Sequence, residues 1–421
     1  RQPAAKAMSH GPTQLPEAEK LRVEKLGILP VLFPILGVVG LGSALIWGWM
    51  TNPMHLAFSY LFAFAVGFTV CAGALFWTLL HHALDADWSV LMRRILESLA
   101  SCFPVLLLLF LPIALFFSKE LWHWMTTDVS HDPLLAWKRP FLNEPFFYIR
   151  CAFYLVFFSL AGLLYRGLSI RQDEDGDPRI TLRLRHTAYG FIPLFVLCLT
   201  FAGFDWLMAL DHHWYSTMWG VYLFAGAAQS SMALLILITN GLVRTGHLKG
   251  LFTVEHNHIM GMLLFAFTVF WGYISFSQYF LQWYANIPEE TWFFAYRNTG
   301  TWFYYSIFLV VGHFFVPFIL LLTQPAKRTP WRICSAATWV LFMHCVDIYW
   351  IVMPNLQLQE SRHAGHEAAT TGFHPHLLDL LTLVGVIGLL AHTFLWLLSK
   401  KSIFPNRDPR LRESLAVTNW L

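Results

Sequence analysis

Apolar residues in this chain come in long unbroken runs, and the polar residues sit in short gaps between them. A helix rising about 1.5 Å per residue needs about 20 apolar residues to cross the hydrocarbon of a bilayer. Ten runs reach that length, at 27–49, 54–80, 100–118, 145–167, 188–210, 217–242, 259–281, 302–323, 332–353 and 377–398. The pattern predicts an all-α integral membrane protein with ten transmembrane helices. Ten is even, so both ends of the chain fall on one side. Of the 28 Lys and Arg residues, 22 belong to the tails, connections and span ends of that side, 5 to the other, and Arg150 lies inside a span. Basic residues are retained on the cytoplasmic side of inserted helices. Residues 1–26 and 399–421 are therefore expected to be cytoplasmic tails, and the polar first 26 residues show no signal-peptide pattern.

Composition narrows the class further. Hydrophobic residues make up 57% and charged residues 13%, against about 25% charged in a soluble domain, which argues against a water-solvated enzyme. The 38 Phe, 19 Trp and 14 Tyr exclude disorder, and a net charge of +3 predicts no nucleic-acid partner. Cys71, Cys102, Cys151, Cys198, Cys334 and Cys345 all lie in apolar runs without a C-x-x-C pair. A cysteine zinc site, an iron–sulphur cluster and a disulfide framework are not expected within the chain. Residues 170–187 read as a solvated loop, because Asp173, Asp175 and Asp177 lack the glycine and distal glutamate of a calcium loop. The outer loop 356–376 carries His363, His366, His374 and His376. With no cysteine and no helical H-x-x-x-H there, no bound metal is expected. No span carries the paired histidines of a b-type haem site, and His81–His82 and His212–His213 fall at span ends.

Spans 2–5 (54–212) and 6–9 (213–355) look like two copies of a four-helix bundle, flanked by the helices 27–49 and 377–398. Their first helices read YLFAFAVGFTVCAGALF (60–76) and GVYLFAGAAQSSMALLI (220–236), and their last carry FDWLM (204–208) and VDIYW (346–350). An even number of spans per unit gives both the same orientation, a parallel repeat.

A charge in hydrocarbon costs about 2.5–3.5 kcal/mol even on a lenient scale, so each one needs a partner or a task. Arg150 and Asp205 fall in one bundle at one depth, and an ion pair is the economical reading, whose role could be purely structural. In the second unit Asp347 follows His344 by about one helical turn, and His313 falls near the middle of its span. Gln229, Ser230 and Ser231 are central in span 6, and Ser275, Gln278 and Gln282 form one stripe at i, i+3, i+7. Such groups at neighbouring depths, with Arg150 and Asp205 as the matching cluster of the first unit, are expected to form a hydrated proton path, with inert hydrogen bonding as the competing reading. Asp205 and His212, near the outer face, are the alternative candidates for a quinone site.

Three stretches carry a family resemblance: FAFTVFWGYISFSQYFLQWYANIPEETWFF (265–294), FDWLMALDHHWYSTMWGVYLFAGA (204–227) and VDIYWIVMPN (346–355). The chain resembles the membrane subunits of bacterial alternative complex III, a respiratory quinol:electron-acceptor oxidoreductase of the NrfD/polysulfide-reductase membrane-subunit superfamily. It is most similar to the smaller, ActF-type, subunit. The resemblance implies a respiratory-chain subunit of the bacterial cytoplasmic (inner) membrane that supplies a proton path and scaffold and has no redox cofactor of its own. It also implies a larger homologous membrane subunit, an iron–sulphur subunit, c-type haem subunits, a terminal oxidase and lipids as partners, and menaquinol or ubiquinol as the electron donor. The buried polar residues of that family map to Asp205, Asp347 and their neighbours. One departure is notable. Where relatives show His-x-Asp-x-Met-Gly-Lys, this chain has His256, Asn257, His258, Ile259, Met260, Gly261 and Met262, which weakens the case for proton entry there. Direct quinol oxidation by this chain, a secondary transporter and a structural anchor without chemistry are the alternatives. Pro104, Pro112, Pro193 and Pro317 do not pair across the repeats as the broken helices of a transporter would.

Overall fold

A computed structural model describes residues 22–23, 27–363 and 372–418. Its ten membrane-length helices are α1 (Leu29–Thr51), α2 (Pro53–Ala83), α3 (Asp87–Leu121), α4 (Glu144–Asp175), α5 (Arg179–Leu210), α6 (Trp219–Arg244), α7 (Val254–Ala285), α8 (Gly300–Leu322), α9 (Pro330–Ser361) and α10 (Leu377–Ser399). No strand occurs among the described residues. The protein is an all-α, multi-span membrane protein.

Helices α2–α5 pack as one four-helix ring and α6–α9 as a second. The rings meet where α2 lies against α6 and α9, and where α5 lies against α6. Helix α10 packs on α2, and α1 packs chiefly on α10. Burial follows from this order. Helix α2 is buried on nearly every side, whereas Val31, Val38 and Ile46 of α1 are exposed where lipid would lie. In lipid, helices associate through close packing rather than through burial from water, which favours small residues at crossings. A Cβ on Gly73 of α2 would come within 1.9 Å of the Ala227 carbonyl oxygen of α6. At the α1–α10 crossing, a Cβ on Gly388 would meet the Gly37 nitrogen at 2.6 Å. Only glycine allows either approach.

Helix α8 widens into a π turn over Val311–Phe315. Pro317 has no N–H to give the His313 carbonyl, so the helix loosens one turn ahead of it. His313 therefore projects from an irregular turn in the second ring.

Several sequence-based boundaries move, and at the start of α3 the reason is that charges hydropathy counts as solvent-facing are buried in pairs. Helix α3 begins at Asp87, not near residue 100. Its Arg93 bonds Asp408 at 2.8 Å, and Arg94 holds Glu97 at 3.1 Å and Asp173 at 2.8 Å. Residues 170–187 are not a loop. Helix α4 runs to Asp175, Gly176 caps it at φ 68°, and α5 starts at Arg179. Asp173, Asp175 and Asp177 turn to three separate partners: Arg94, the Arg171 side chain and the Arg179 backbone N–H. Helix α9 continues to His363, which shortens the outer loop 356–376, and its Gln359 side chain donates to the Leu121 carbonyl at 2.6 Å. The tail beyond Ser399 is docked, with Ile403, Phe404 and Leu411 buried and Ser414 bonded to the Trp88 carbonyl. Most of the N-terminal tail, His366 and the His363 side chain lie outside the described residues.

Candidate functional site

Asp347 enters the second ring from α9 and is 2% exposed. The Tyr222 hydroxyl of α6 donates to its Oδ1, and the Trp271 indole N–H of α7 donates to Oδ2 at 3.2 Å. Both donors are neutral. No ion pair to Asp347 forms among the described residues.

Two polar branches lead away from this acid. On one, Trp271 stacks on His313, with ring centres 4.0 Å apart and planes 21° apart. His313 Nε2 lies 2.9 Å from Gln229 Oε1, so the ring donates there. Gln229 in turn donates to the Thr268 hydroxyl at 3.0 Å, and Thr268 donates to the Leu264 carbonyl. The Trp271 step is stacking, and an indole N–H has no acceptor lone pair. A proton moving between Asp347 and His313 must pass around Trp271 by way of water.

On the other branch, His344 Nε2 lies 2.8 Å from the Thr69 hydroxyl of α2. The single Thr69 hydrogen serves the Ala65 carbonyl at 2.8 Å, so the imidazole hydrogen belongs on Nε2. That leaves His344 Nδ1 as a buried acceptor, and it has no partner among the described residues. It faces Gly226 of α6. A Cβ there would lie 3.4 Å from His344 Nδ1 and 3.8 Å from Asp347 Oδ2. Acid and imidazole thus look onto one side-chain-free patch of α6.

The first ring holds its acid differently. Asp205 is fully buried, and Arg150 grips it with two bonds, at 2.9 Å through Nε and 2.6 Å through Nη2. Tyr154 adds a third at 2.9 Å. The remaining Arg150 nitrogen donates to the Phe141 carbonyl, and its guanidinium covers the Phe141 and Phe146 rings at 3.9 and 4.3 Å. The ion pair expected from depth and bundle membership is present and fully satisfied.

Comparison with family models finds no match to this chain, and neither does comparison with curated proteins.

The other sequence-based candidates scatter. Ser230 and Ser231 donate to carbonyls of their own helix, at Ala227 and Ala228. Ser275 lines a membrane-facing cavity of about 470 Å³ with Tyr222, Ser306 and Trp350. Gln278 is buried, its Oε1 without a partner among the described residues, and Gln282 accepts from Trp214. None of these bonds Asp347, His344 or His313. Asp205 and His212 do not form one site either. Asp205 is closed by Arg150, whereas His212 bonds Asp132 at 2.8 Å, and neither lines the cavities against α7–α10. At the entry to α7, His256 caps its own helix, and Asn257 exchanges amide bonds with Asn240 of α6.

Sequence reasoning missed Tyr222, Trp271, Thr69 and Gly226, which resemble ordinary packing residues of a membrane helix until the fold places them. It also missed a second buried acid. Asp379, in the first turn of α10, accepts from Ser59 at 2.6 Å and Tyr349 at 3.0 Å, and meets His55 Nε2 at 3.0 Å. Beside it opens an apolar, membrane-facing cavity of about 680 Å³, lined by Phe62, Tyr305, Phe342, Tyr349, His376 and Asp379 among others. The only sequence signal was an aspartate just inside a span boundary, where polar residues are ordinary.

Proposed function

We propose that this chain is the ActF-type membrane subunit of a quinol-oxidising respiratory complex akin to bacterial alternative complex III, and that it carries protons through its second ring. Its place is then the bacterial cytoplasmic membrane, with both tails cytoplasmic. Its neighbours are a larger homologous membrane subunit and iron–sulphur and c-type haem subunits, and a terminal oxidase receives the electrons. The chain contributes no redox centre. Asp347 is the exchanging acid, His344 its imidazole partner across the Gly226 patch, and His313 with Gln229 the second branch.

The observation that supports this reading is the coordination of Asp347. A buried acid held only by neutral donors can release and regain a proton without breaking an ion pair, and chains of Asp and His at membrane depth mark proton relays. The deciding experiment reconstitutes the whole complex in vesicles with Asp347→Asn. The proton-to-electron ratio should fall while subunit composition and quinol oxidation in detergent persist. An unchanged ratio would remove the relay and leave a scaffold.

A second reading is favoured by the cavity beside Asp379: that this chain binds quinol. A lipid-accessible apolar cleft ending in Asp379, His376 and Tyr349 suits a hydroquinone, whose hydroxyls need acceptors and whose tail needs apolar walls. On this reading the headgroup site belongs to Asp379, and Asp205 with His212 is set aside as that site. Loss of quinone from the purified complex on Asp379→Asn, with Asp205→Asn unaffected, would favour it.

A further inference from the structure

Apart from both rings, the connections at the face opposite the described C-terminal segment bring three metal-ligand atoms together. Asp132 starts the short helix Pro133–Lys138, and its Oδ1 accepts the Leu135 N–H at 2.9 Å. That bond fixes the carboxylate and leaves Oδ2 facing the α5–α6 connection. There His212 Nε2 lies 2.8 Å and His213 Nε2 3.0 Å from the same Oδ2. All three atoms lie within 4.8 Å of one another.

We propose that Asp132, His212 and His213 form a binding site for a divalent transition-metal ion of the zinc class, with water as the fourth ligand.

The donor chemistry fits. Two imidazole nitrogens and one carboxylate oxygen, plus an open position, is a recurrent zinc set with bonds of about 2.0–2.2 Å. Tetrahedral ligands on such bonds stand about 3.3 Å apart. The two imidazoles therefore withdraw from Oδ2 by a few tenths of an ångström, a small side-chain rotation. Metal binding needs unprotonated imidazole. On binding, each ring moves its hydrogen from Nε2 to Nδ1, so no net proton is released.

The surroundings agree with a ligand site. An Asp211 carboxylate oxygen lies 3.7 Å behind His213 Nδ1, beyond hydrogen-bond length but on the side from which an outer carboxylate orients a ligating histidine. His212 is buried, whereas the His213 side chain is 47% exposed, which gives an ion a way in. His212 Nδ1 has no partner among the described residues, so packing and the Nε2 contact alone set its ring. The ion would pin the α3–α4 connection to the α5–α6 connection, a clamp over the end of the first ring.

The test uses the full chain in its native complex, stripped with chelator, dialysed and offered zinc sulfate, with bound zinc measured by mass spectrometry. Wild type should regain one more zinc per chain than His213→Ala, in which the regained equivalent drops at least tenfold. Asp132→Asn should behave likewise, and His374→Ala, on another loop, should match wild type. Co²⁺ in place of Zn²⁺ should give a tetrahedral visible spectrum in wild type that His213→Ala lacks. Equal zinc in wild type and His213→Ala, or no uptake by the stripped wild type, would overturn the site and leave a hydrogen-bonded Asp–His clamp. His213 is half exposed, so its loss leaves the fold intact and a fall in bound zinc reports on the metal site alone.

Discussion

The two rings each bury one aspartate on their last helix, Asp205 on α5 and Asp347 on α9, and they treat it in opposite ways. In the first ring Arg150 takes Asp205 in a two-bond grip, and Tyr154 completes its shell. In the second ring a buried arginine is also present, but it is turned elsewhere. Arg297, on the helix before α8, spends its donors on the carbonyls of Phe293, Trp350 and Ile351 and lies 3.5 Å over the Phe293 ring. Asp347 is left with Tyr222 and Trp271. The contrast teaches that a buried acid in a membrane helix says little about function until its cation is located. A paired acid is a brace, and to exchange a proton it must first give up its partner. An acid among neutral donors is free of that constraint.

Removing the cation from the first ring should produce the largest effect. Arg150→Ala leaves Asp205 charged or forces it neutral inside the ring, and breaking one side of a buried pair costs about 3–5 kcal/mol. We expect a collapse in yield and thermal stability of the detergent-solubilised protein, read by a melting assay. The double change Arg150→Met with Asp205→Leu should recover most of that loss, since an apolar pair of similar volume often matches a buried ion pair. If the double variant melts as low as Arg150→Ala, the pair is doing more than bracing, and the contrast between the rings weakens.

In the second ring the expected order is reversed, with a small stability effect and a large functional one. Asp347→Asn keeps an acceptor for Tyr222 or Trp271 and removes no cation's partner, so its melting point should stay near wild type. Proton translocation by the reconstituted complex should nevertheless fall to a small fraction. A large loss of stability in Asp347→Asn would mean that Asp347 is as much a brace as Asp205.

How much of this could be read from the sequence follows from how far apart the partners lie. The ten helices were legible because a membrane span is a local property, a count of consecutive apolar residues. The Arg150–Asp205 pair was legible because both charges had to be solved somewhere and depth gave them only each other. The start of α3 was not, since Arg93 looks solvent-facing until Asp408, 315 residues later, arrives beside it. The Asp347 shell was hidden for another reason. Tyr222 and Trp271 are two of many aromatic residues in apolar runs, and only the crossing of α6, α7 and α9 selects them. Asp379 was passed over because its position in the first turn of α10 resembles an interface, while His55 and Ser59 come from a helix more than 300 residues earlier in the chain. The serines of α6 carry little signal either way, because a hydroxyl in a helix can turn back on its own carbonyls, as Ser230 and Ser231 do.

A subtler change probes the space between the acid and its imidazole. In Gly226→Ala the new methyl would sit 3.4 Å from His344 Nδ1, ordinary contact distance, so nothing need move. The exchange even favours the helix by about 1 kcal/mol. The methyl occupies the patch that Asp347 Oδ2 and His344 Nδ1 share. Proton translocation should slow several-fold in a protein at least as stable as wild type, a combination that damage to the fold cannot produce. Unimpaired translocation would mean that protons do not use this gap.

The smallest effect is expected at the far end of the same branch. Thr69→Val keeps the shape of the side chain and removes the hydroxyl that receives His344 Nε2–H. Stranding one neutral buried donor costs about 1–3 kcal/mol, and the ring can recover part of that by moving its hydrogen to Nδ1, where a group in the Gly226 patch could accept it. The tautomer then inverts: Nδ1 becomes a donor and ceases to be the base facing Asp347. The melting point should fall only slightly, while translocation becomes slower and less steep in its response to pH than in wild type. The same variant should leave Arg150–Asp205 untouched, because Thr69 bonds nothing in the first ring's ion pair. Equal damage to the stability of Thr69→Val and Arg150→Ala would contradict the division of labour between a braced acid and an exchanging one.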